Sequence, residues 1–422
     1  MSQPIEAVMI GAGGRGYYAY GPYAQRHPDR MRFTAVVEPH DERRQRFAEA
    51  HSIPPERQFC AWQDLYALGQ IAPALLNCTL DQMHLDSTLP ALELGYDVLL
   101  EKPMVNTLAG NVRLVQTAEQ HGRLLMICHV LRYTSFFSTL HDIITSGRLG
   151  DVVTFEHREN VVYWHMAHSF VRGNWGNSER TSPMILAKCC HDLDILFWNM
   201  GPVAHLNSFG SLMHYRAENA PAGATKRCTD GCPVADDCPW YAPRLYLNEN
   251  TGWPVSAIAE DADLETRRRA LETGPYGRCV YHCDNDVVDH QTVNMEFESG
   301  ATGVLFMHGH SQEESRTMRY DGTRATLRAR FSYGMGDAIE IHDHLTGRVE
   351  KITPKRGDTG HGGGDEGIMN AFVRALRDPS SAMTTARESL ESHLMAFAAE
   401  EARVDKTIIN MDEFRRRAET RG

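Results

Sequence analysis

The chain has 422 residues, 42% of them hydrophobic and 23% charged, and a formal net charge of −12 at pH 7. This is the composition of an ordinary globular protein long enough for two domains or even three. The acidic balance excludes nucleic acid or an anionic membrane surface as the main partner, and no apolar run approaches the ~18 residues that cross a bilayer. Met1-Ser2-Gln3-Pro4 runs straight into a strand, with no charged n-region or long apolar h-region, so a cytoplasmic enzyme is expected.

Residues 5–10 read as a buried strand, followed at once by Gly11-Ala12-Gly13-Gly14-Arg15-Gly16 and a helix over 17–25. This is G-x-G-x-x-G in its required setting. Gly11 permits the tight turn, Gly13 lets backbone approach a pyrophosphate, and Gly16 lets helix and strand pack closely. The helix N-terminus then faces phosphates with its partial positive charge. A second strand, 33–37, ends at Glu38, which stands 22 residues after Gly16. An acid at about that spacing binds a ribose 2′-hydroxyl and repels a 2′-phosphate, which favours NAD. Arg43 and Arg44 keep NADP open.

Helices over 42–51 and 62–68 precede a buried strand over 74–79 and a helix over 83–94 with Gly95 as its C-cap. The strand Val98-Leu99-Leu100 delivers Glu101-Lys102-Pro103 to its carboxyl end, the edge where open parallel sheets bind ligands. A helix over 108–121 and a strand over 124–129 complete the unit. Strands alternating with helices predict a doubly wound parallel sheet ending near residue 130.

The glycine fingerprint, Thr79 with His84, and above all Glu101-Lys102-Pro103 resemble the Gfo/Idh/MocA family of nicotinamide-dependent oxidoreductases. The resemblance covers nearly the whole chain. It implies an α/β Rossmann domain over 1–130 and an α+β domain over 131–422 with a large open, mainly antiparallel sheet. It also implies C-terminal helices that pack back on the first domain, and a homodimer or homotetramer. Gly11, Gly13, Gly14, Arg15, Gly16, Glu38, Thr79, His84, Glu101 and Lys102 are the implied NAD contacts, with Lys102 beside the nicotinamide and the reacting hydroxyl.

In the second unit a helix over 132–146 leads to a strand over 152–156. The segment 163–175 is dense in aromatic and basic side chains. Tyr163, His165, His168, Arg172 and Trp175 suit a polyhydroxylated ligand, although a packed irregular loop would also explain them. A single helix is predicted over 182–198, placing Lys188, His191 and Asp194 on one face. His191 matches the histidine that the resemblance pairs with the lysine as acid and base. Asp192 is grouped with the substrate-facing residues. Many family members carry an aspartate four residues before that histidine. This chain has Ala187 there and Lys188 next, which predicts a more cationic pocket and an acidic substrate or stabilised anionic intermediate.

Ten cysteines divide in two. Cys60, Cys78, Cys128, Cys189 and Cys190 read as small hydrophobes. Cys228, Cys232, Cys238, Cys279 and Cys283 cluster in an insert over about 226–284. In a large cytosolic chain this points to a metal, with a structural zinc favoured over an iron–sulfur cluster or free thiols and His282 as a spare ligand. Strands over 292–297 and 301–307 form a hairpin through Glu298-Ser299-Gly300. Asp289 and His290 stand at its entrance, facing the site or capping it. Further strands are predicted over 316–320, 325–331 and 338–342. His361-Gly362-Gly363-Gly364-Asp365 precedes a helix over 366–376, either closing over substrate or with Asp365 as N-cap. Helices over 386–406 and 412–420 end the chain.

The expected function is hydride transfer between NAD and a secondary hydroxyl of a sugar, sugar acid or cyclitol. Lys102 takes the proton, His191 assists and Lys188 orients. One alternative is an NAD-dependent glycosidase working by oxidation, elimination, hydration and re-reduction, for example on a sulfoquinovoside, with Tyr163, His165 or His168 as the extra catalytic base. Another is a non-catalytic NAD-binding regulator.

Overall fold

The computed structural model describes residues 3–259 and 263–420; the predicted insert includes residues 260–262, which lie outside these. Six strands form the first sheet: β1 (Ile5–Ile10), β2 (Met31–Val37), β3 (Gln58–Phe59), β4 (Ala74–Asn77), β5 (Asp97–Leu100) and β6 (Leu125–Ile127). Their order is β3-β2-β1-β4-β5-β6 and every pairing is parallel. Every residue of β4 is buried, as befits a strand covered by helices on both faces. The strand order reverses between β1 and β4, so a crevice opens at their carboxyl ends. Gly11, Thr79 and Glu101-Lys102 all emerge there, because they follow β1, β4 and β5.

The second sheet has nine strands: β7 (Val152–Val162), β8 (Val203–Ser211), β9 (His290–Phe297), β10 (Thr302–Ser311), β11 (Ser315–Gly322), β12 (Ala325–Phe331), β13 (Ala338–Asp343), β14 (Val349–Ile352) and β15 (Ile409–Asn410). The order is β14-β13-β12-β11-β7-β10-β9-β8-β15. Only β7 and β10 run parallel; the other pairings are antiparallel. The central strand β7 runs six residues beyond the predicted 156. Its inward positions include His157 and Glu159, which break the apolar alternation that marks a half-buried strand. Strands β3, β8, β14 and β15 were not expected at all.

Two predicted helices differ in ways that matter for the site. The expected helix over 182–198 is two, Met184–Ala187 and Cys190–Met200, broken at Lys188-Cys189. The helix after the glycine run is Gly364–Arg377, capped by Gly363 at φ 97°, so Asp365 does not cap it. That helix packs on the turn Gly14–Tyr20 of the first unit. The long helix Ala386–Asp405 packs against Leu108–Gln120 of the first unit and against Cys190–Met200 and β8 of the second. One apolar core therefore runs from Leu75, Val98 and Leu100 through Leu394 and Ala398 to Val203, Leu206 and Leu305.

Candidate active site

The glycine loop divides its labour. Gly11 has φ 87°, and a Cβ there would meet the Cys78 carbonyl oxygen at 2.6 Å. A Cβ on Gly16 would meet the Gly11 oxygen at 2.0 Å. These two glycines are needed for the fold of the turn. A Cβ on Gly13 would meet only an Arg43 guanidinium nitrogen, at 3.8 Å, and one on Gly14 nothing within 4 Å. Those two present bare backbone to the crevice, the cradle a dinucleotide needs. Glu38 ends β2 and is held by Ala12 N–H at 2.9 Å and His40 N–H at 3.1 Å, so its carboxylate is fixed beside the loop.

Lys102 stands at the end of β5, half-buried, and its Nζ donates to the Ala187 carbonyl at 3.0 Å. Glu101 beside it turns the other way. It accepts from Arg15 Nε and from Tyr20 Oη, both at 2.6 Å, and from its neighbour's N–H, Lys102, at 3.0 Å. Burial opposes its ionisation, but Arg15 outweighs burial and holds the carboxyl below its usual range. Arg15 also donates to Asp365 at 2.8 and 3.2 Å, and Asp365 holds His361 Nδ1 at 2.9 Å. Arg15, expected on the cofactor, is thus committed to carboxylates that tie β5 to the glycine run before Gly364–Arg377.

His191 lies near Lys102. Burial and then the Lys102 charge push it well below the usual histidine range, leaving a neutral imidazole. Its buried Nδ1 has no hydrogen-bond partner among the described residues. Its ring centroid is 6.2 Å from that of His361 and 5.9 Å from that of His129. Asp194, expected beside His191, instead accepts from Arg132 Nε and Nη2 at 2.7 Å each.

Lys188 corrects the expectation of a cationic pocket. The helix break sends its ammonium into a buried ionic cluster, 3.1 Å from Glu159 and 2.7 Å from Glu314. Burial alone would lower its pKa, but the two carboxylates outweigh that and raise it. Lys188, expected to orient substrate, is held between two carboxylates and is not a free charge. Asp192, expected on substrate, belongs to the same cluster. It is fully buried, 2.7 Å from His157 Nε2 and 2.8 Å from Arg316 Nε. Arg316 also reaches Glu159 at 2.7 Å.

The aromatic segment after β7 is mostly scaffold. His165 Nδ1 lies 3.1 Å from Glu314, near Lys188. His168 is buried, 2.8 Å from the Tyr246 hydroxyl and stacked on Tyr276 with centroids 4.7 Å apart. Arg172 is buried and donates to the carbonyls of Arg278 and Trp240 at 2.7 Å each. His168 and Arg172 therefore anchor the cysteine-rich insert and do not face substrate. Trp175 spends its indole N–H on Asp81 at 2.9 Å, across the two units. Tyr163 is half-buried at the end of β7, and its hydroxyl makes no hydrogen bond among the described residues. His84, expected on the cofactor, is a buried latch with Nδ1 2.9 Å from the Pro103 oxygen and Nε2 3.1 Å from that of Thr79. Thr79 itself bonds Asn77. Asp289 caps the entry to the insert, accepting from Met213 and His214 N–H at 3.0 and 2.6 Å. Among the described residues no group of three or more His, Cys, Asp or Glu side chains is arranged to hold a metal ion, and no helix is long and apolar enough to cross a membrane.

Residues 5–129 match the Gfo/Idh/MocA description "Oxidoreductase family, NAD-binding Rossmann fold", and residues 141–411 match "Oxidoreductase family, C-terminal alpha/beta domain". The chain belongs to the Gfo/Idh/MocA oxidoreductase family. "Putative oxidoreductase YteT" of Bacillus subtilis (strain 168) is 21% identical over 299 residues, 68% of each chain. An inositol 2-dehydrogenase of Corynebacterium glutamicum is 24% identical over 211 residues, 48% of this chain and 56% of that one. The WlbA dehydrogenase of Bordetella pertussis, solved with NADH and UDP-GlcNAcA, superposes with a TM-score of 0.67 at 17% identity, covering 97% of this chain and 99% of that one.

Within this Gfo/Idh/MocA chain, position 187 contributes a backbone carbonyl to Lys102 where the resemblance implied an aspartate side chain. The residues that sequence reasoning missed are Glu159, Glu314, Arg316 and His157. Their signal was present, since Phe155, His157, Glu159 and Val161 alternate on the buried face of one strand. Ionisable residues at inward parity need partners, and Arg316 and Lys188 supply them.

Proposed function

We propose that the protein transfers hydride between a secondary hydroxyl of a sugar or cyclitol and NAD at the carboxyl edge of the first sheet. The observation that carries this reading is Lys102, set at the end of β5 with Nζ fixed on the Ala187 carbonyl and a neutral His191 nearby. Gly13, Gly14 and Glu38 fit a dinucleotide with a free 2′-hydroxyl, and the nicotinamide supplies the hydride acceptor when bound. Lys102 takes the hydroxyl proton in oxidation and returns it in reduction. His191 orients the same hydroxyl through its unpartnered Nδ1. His361 borders His191 and lines the substrate side. Glu101 acts at one remove, by fixing the strand end that bears Lys102.

Lys188 adds little net positive charge near Lys102, because Glu159 and Glu314 cancel it. This favours a neutral polyol over an anionic glycoside. Among the relatives' printed names inositol 2-dehydrogenase agrees with a neutral polyol, whereas the WlbA structure holds the anionic UDP-GlcNAcA. A panel of free sugars, cyclitols and aryl glycosides tests the reading, with NADH and released aglycone followed together. NADH is expected mole for mole with oxidised product. Aglycone release with no accumulating NADH would replace the dehydrogenase by a redox-neutral glycosidase, and no turnover with NAD still bound would leave a regulator.

The glycine loop gives a second check. Gly13→Val places its side chain in the crevice and meets almost nothing of the protein. It is expected to keep the thermal midpoint and weaken NAD binding by about tenfold or more in a fluorescence titration. Gly16→Val, with its Cβ inside the Gly11 carbonyl, is expected to lower the midpoint itself. Equal effects from the two variants would count against the cradle.

A further inference from the structure

Among its described residues the segment between β8 and β9, residues 212–289, has only a small apolar cluster of its own, while Tyr215, Val280, Tyr281, Val287 and Val288 join the main core. Its separate cluster is Cys228, Ala242, Tyr246, Val255 and Leu271. A module with so small a core needs another source of stability, commonly disulfides or a metal. Its cysteines are free thiols, so no disulfide supplies it.

Four of those thiols border one pocket, though not at metal-coordinating geometry. Cys228, Cys232, Cys238 and Cys279 line one small pocket, together with Tyr241 and Tyr281. Cys279 is far from the other three in sequence and is brought to them by a two-rung ladder. Cys228 N–H donates to the Gly277 carbonyl and Cys279 N–H to the Lys226 carbonyl, both at 2.9 Å. Cys283 is not in the pocket; its thiol donates to the Cys279 carbonyl at 3.3 Å. Thiolate is the form of cysteine that ligates metal.

The second observation is independent of the cysteines. Arg172 is 1% exposed and pairs with no carboxylate among the described residues. Its guanidinium reaches Cys228 Sγ at 3.6 Å, and its buried Nη1 has no hydrogen-bond partner among the described residues. A buried cation without a counter-charge is costly. Four thiolates around a divalent ion carry a net charge of −2, and that anionic site would compensate Arg172.

We propose that Cys228, Cys232, Cys238 and Cys279 bind one structural zinc ion as thiolates, with Arg172 as the counter-charge and Cys283 outside the shell. The sulfurs share a pocket without yet forming a finished shell, so coordination would turn the four side chains inward and release their protons. The site would hold the insert against the loop carrying His168 and Arg172; it has no part in hydride transfer.

The test is metal analysis of the full-length protein, purified without chelator, alongside thiol counting. About one zinc per chain is expected to survive gel filtration, with the four thiols unreactive until a mercurial reagent releases the metal. Cys279→Ser is expected to lose the zinc, and Cys283→Ser and Cys60→Ser to keep it. Arg172→Met is expected to release zinc to a competing chelator faster than the unaltered protein. Should a cysteine variant fail to fold, the metal content of the unaltered protein still decides. Protein without zinc whose thiols react freely, disulfides among the four cysteines, or iron with inorganic sulfide would each overturn the proposal.

Discussion

Lys102→Met is expected to lower turnover by about 10²–10⁴-fold on any accepted substrate, with NAD affinity and the thermal midpoint close to those of the unaltered protein. The range is what a positioned acid or base contributes. Methionine keeps most of the apolar stem, and the lost hydrogen bond to Ala187 costs about 1 kcal/mol, small against the stability of a large chain. Lys102→Arg is expected to be nearly as inactive, since a guanidinium stays protonated at any working pH and cannot take a proton from an alcohol. Steady-state rates with NADH absorbance decide this. Undiminished turnover in Lys102→Met would remove the lysine from the chemistry and the proposed function with it.

Arg316→Met is expected to have the largest effect on stability. Arg316 is 2% exposed and its guanidinium serves Asp192, Glu159 and the Tyr333 hydroxyl, at 2.8, 2.7 and 2.9 Å respectively. Removing one partner of a buried ion pair costs about 3–5 kcal/mol, because the other charge is left uncompensated. Here two carboxylates lose their guanidinium, leaving Glu159 with Lys188 and Asp192 with His157. The exposed pair Arg148–Glu350 has a similar distance, 2.7 Å, but Arg148→Met is expected to change nothing measurable. Urea midpoints compare the two variants. The pH dependence has a definite sign. Burial already pushes the Glu159 carboxyl up against the pull of Arg316 and Lys188. Without Arg316 it rises further above its unfolded value. An acid raised in the folded state is harmless below its unfolded pKa and destabilising above its folded one. The loss in Arg316→Met should therefore be larger at pH 8 than at pH 5.5. A loss independent of pH, or one no greater than that of Arg148→Met, would show that the cluster is not held by charge.

What could be read from the chain depended on whether the signal was local. The glycine turn, Glu38 at its fixed spacing and a lysine after a short apolar strand are local, and they fall where one sheet edge gathers them. Lys188 was misplaced because helical periodicity was carried through a break that no proline or glycine marks. Once the helix stops at Ala187, Lys188 and His191 no longer share a face, and the lysine finds Glu159 and Glu314. Glu314 and Arg316 lie more than a hundred residues from Lys188 and Asp192, and sequence spacing carries no information about such pairs. His168 and Arg172 looked like ligand contacts for a related reason. A basic or aromatic residue that anchors a distant module has the same local appearance as one that meets a sugar.

The antiparallel neighbours β8 and β9 meet at Ser211 and His290, so the described residues between them hang from the sheet as the loop of one hairpin. Closing a longer loop costs only logarithmically more entropy, and the register on either side is set by the strands. The sheet thus tolerates a graft at this point of almost any length. A graft need only bring its own means of staying folded and a few anchors to the host, which here include Arg172 and His168. New chemistry could enter this scaffold at that joint without disturbing Lys102, which is held by a different sheet.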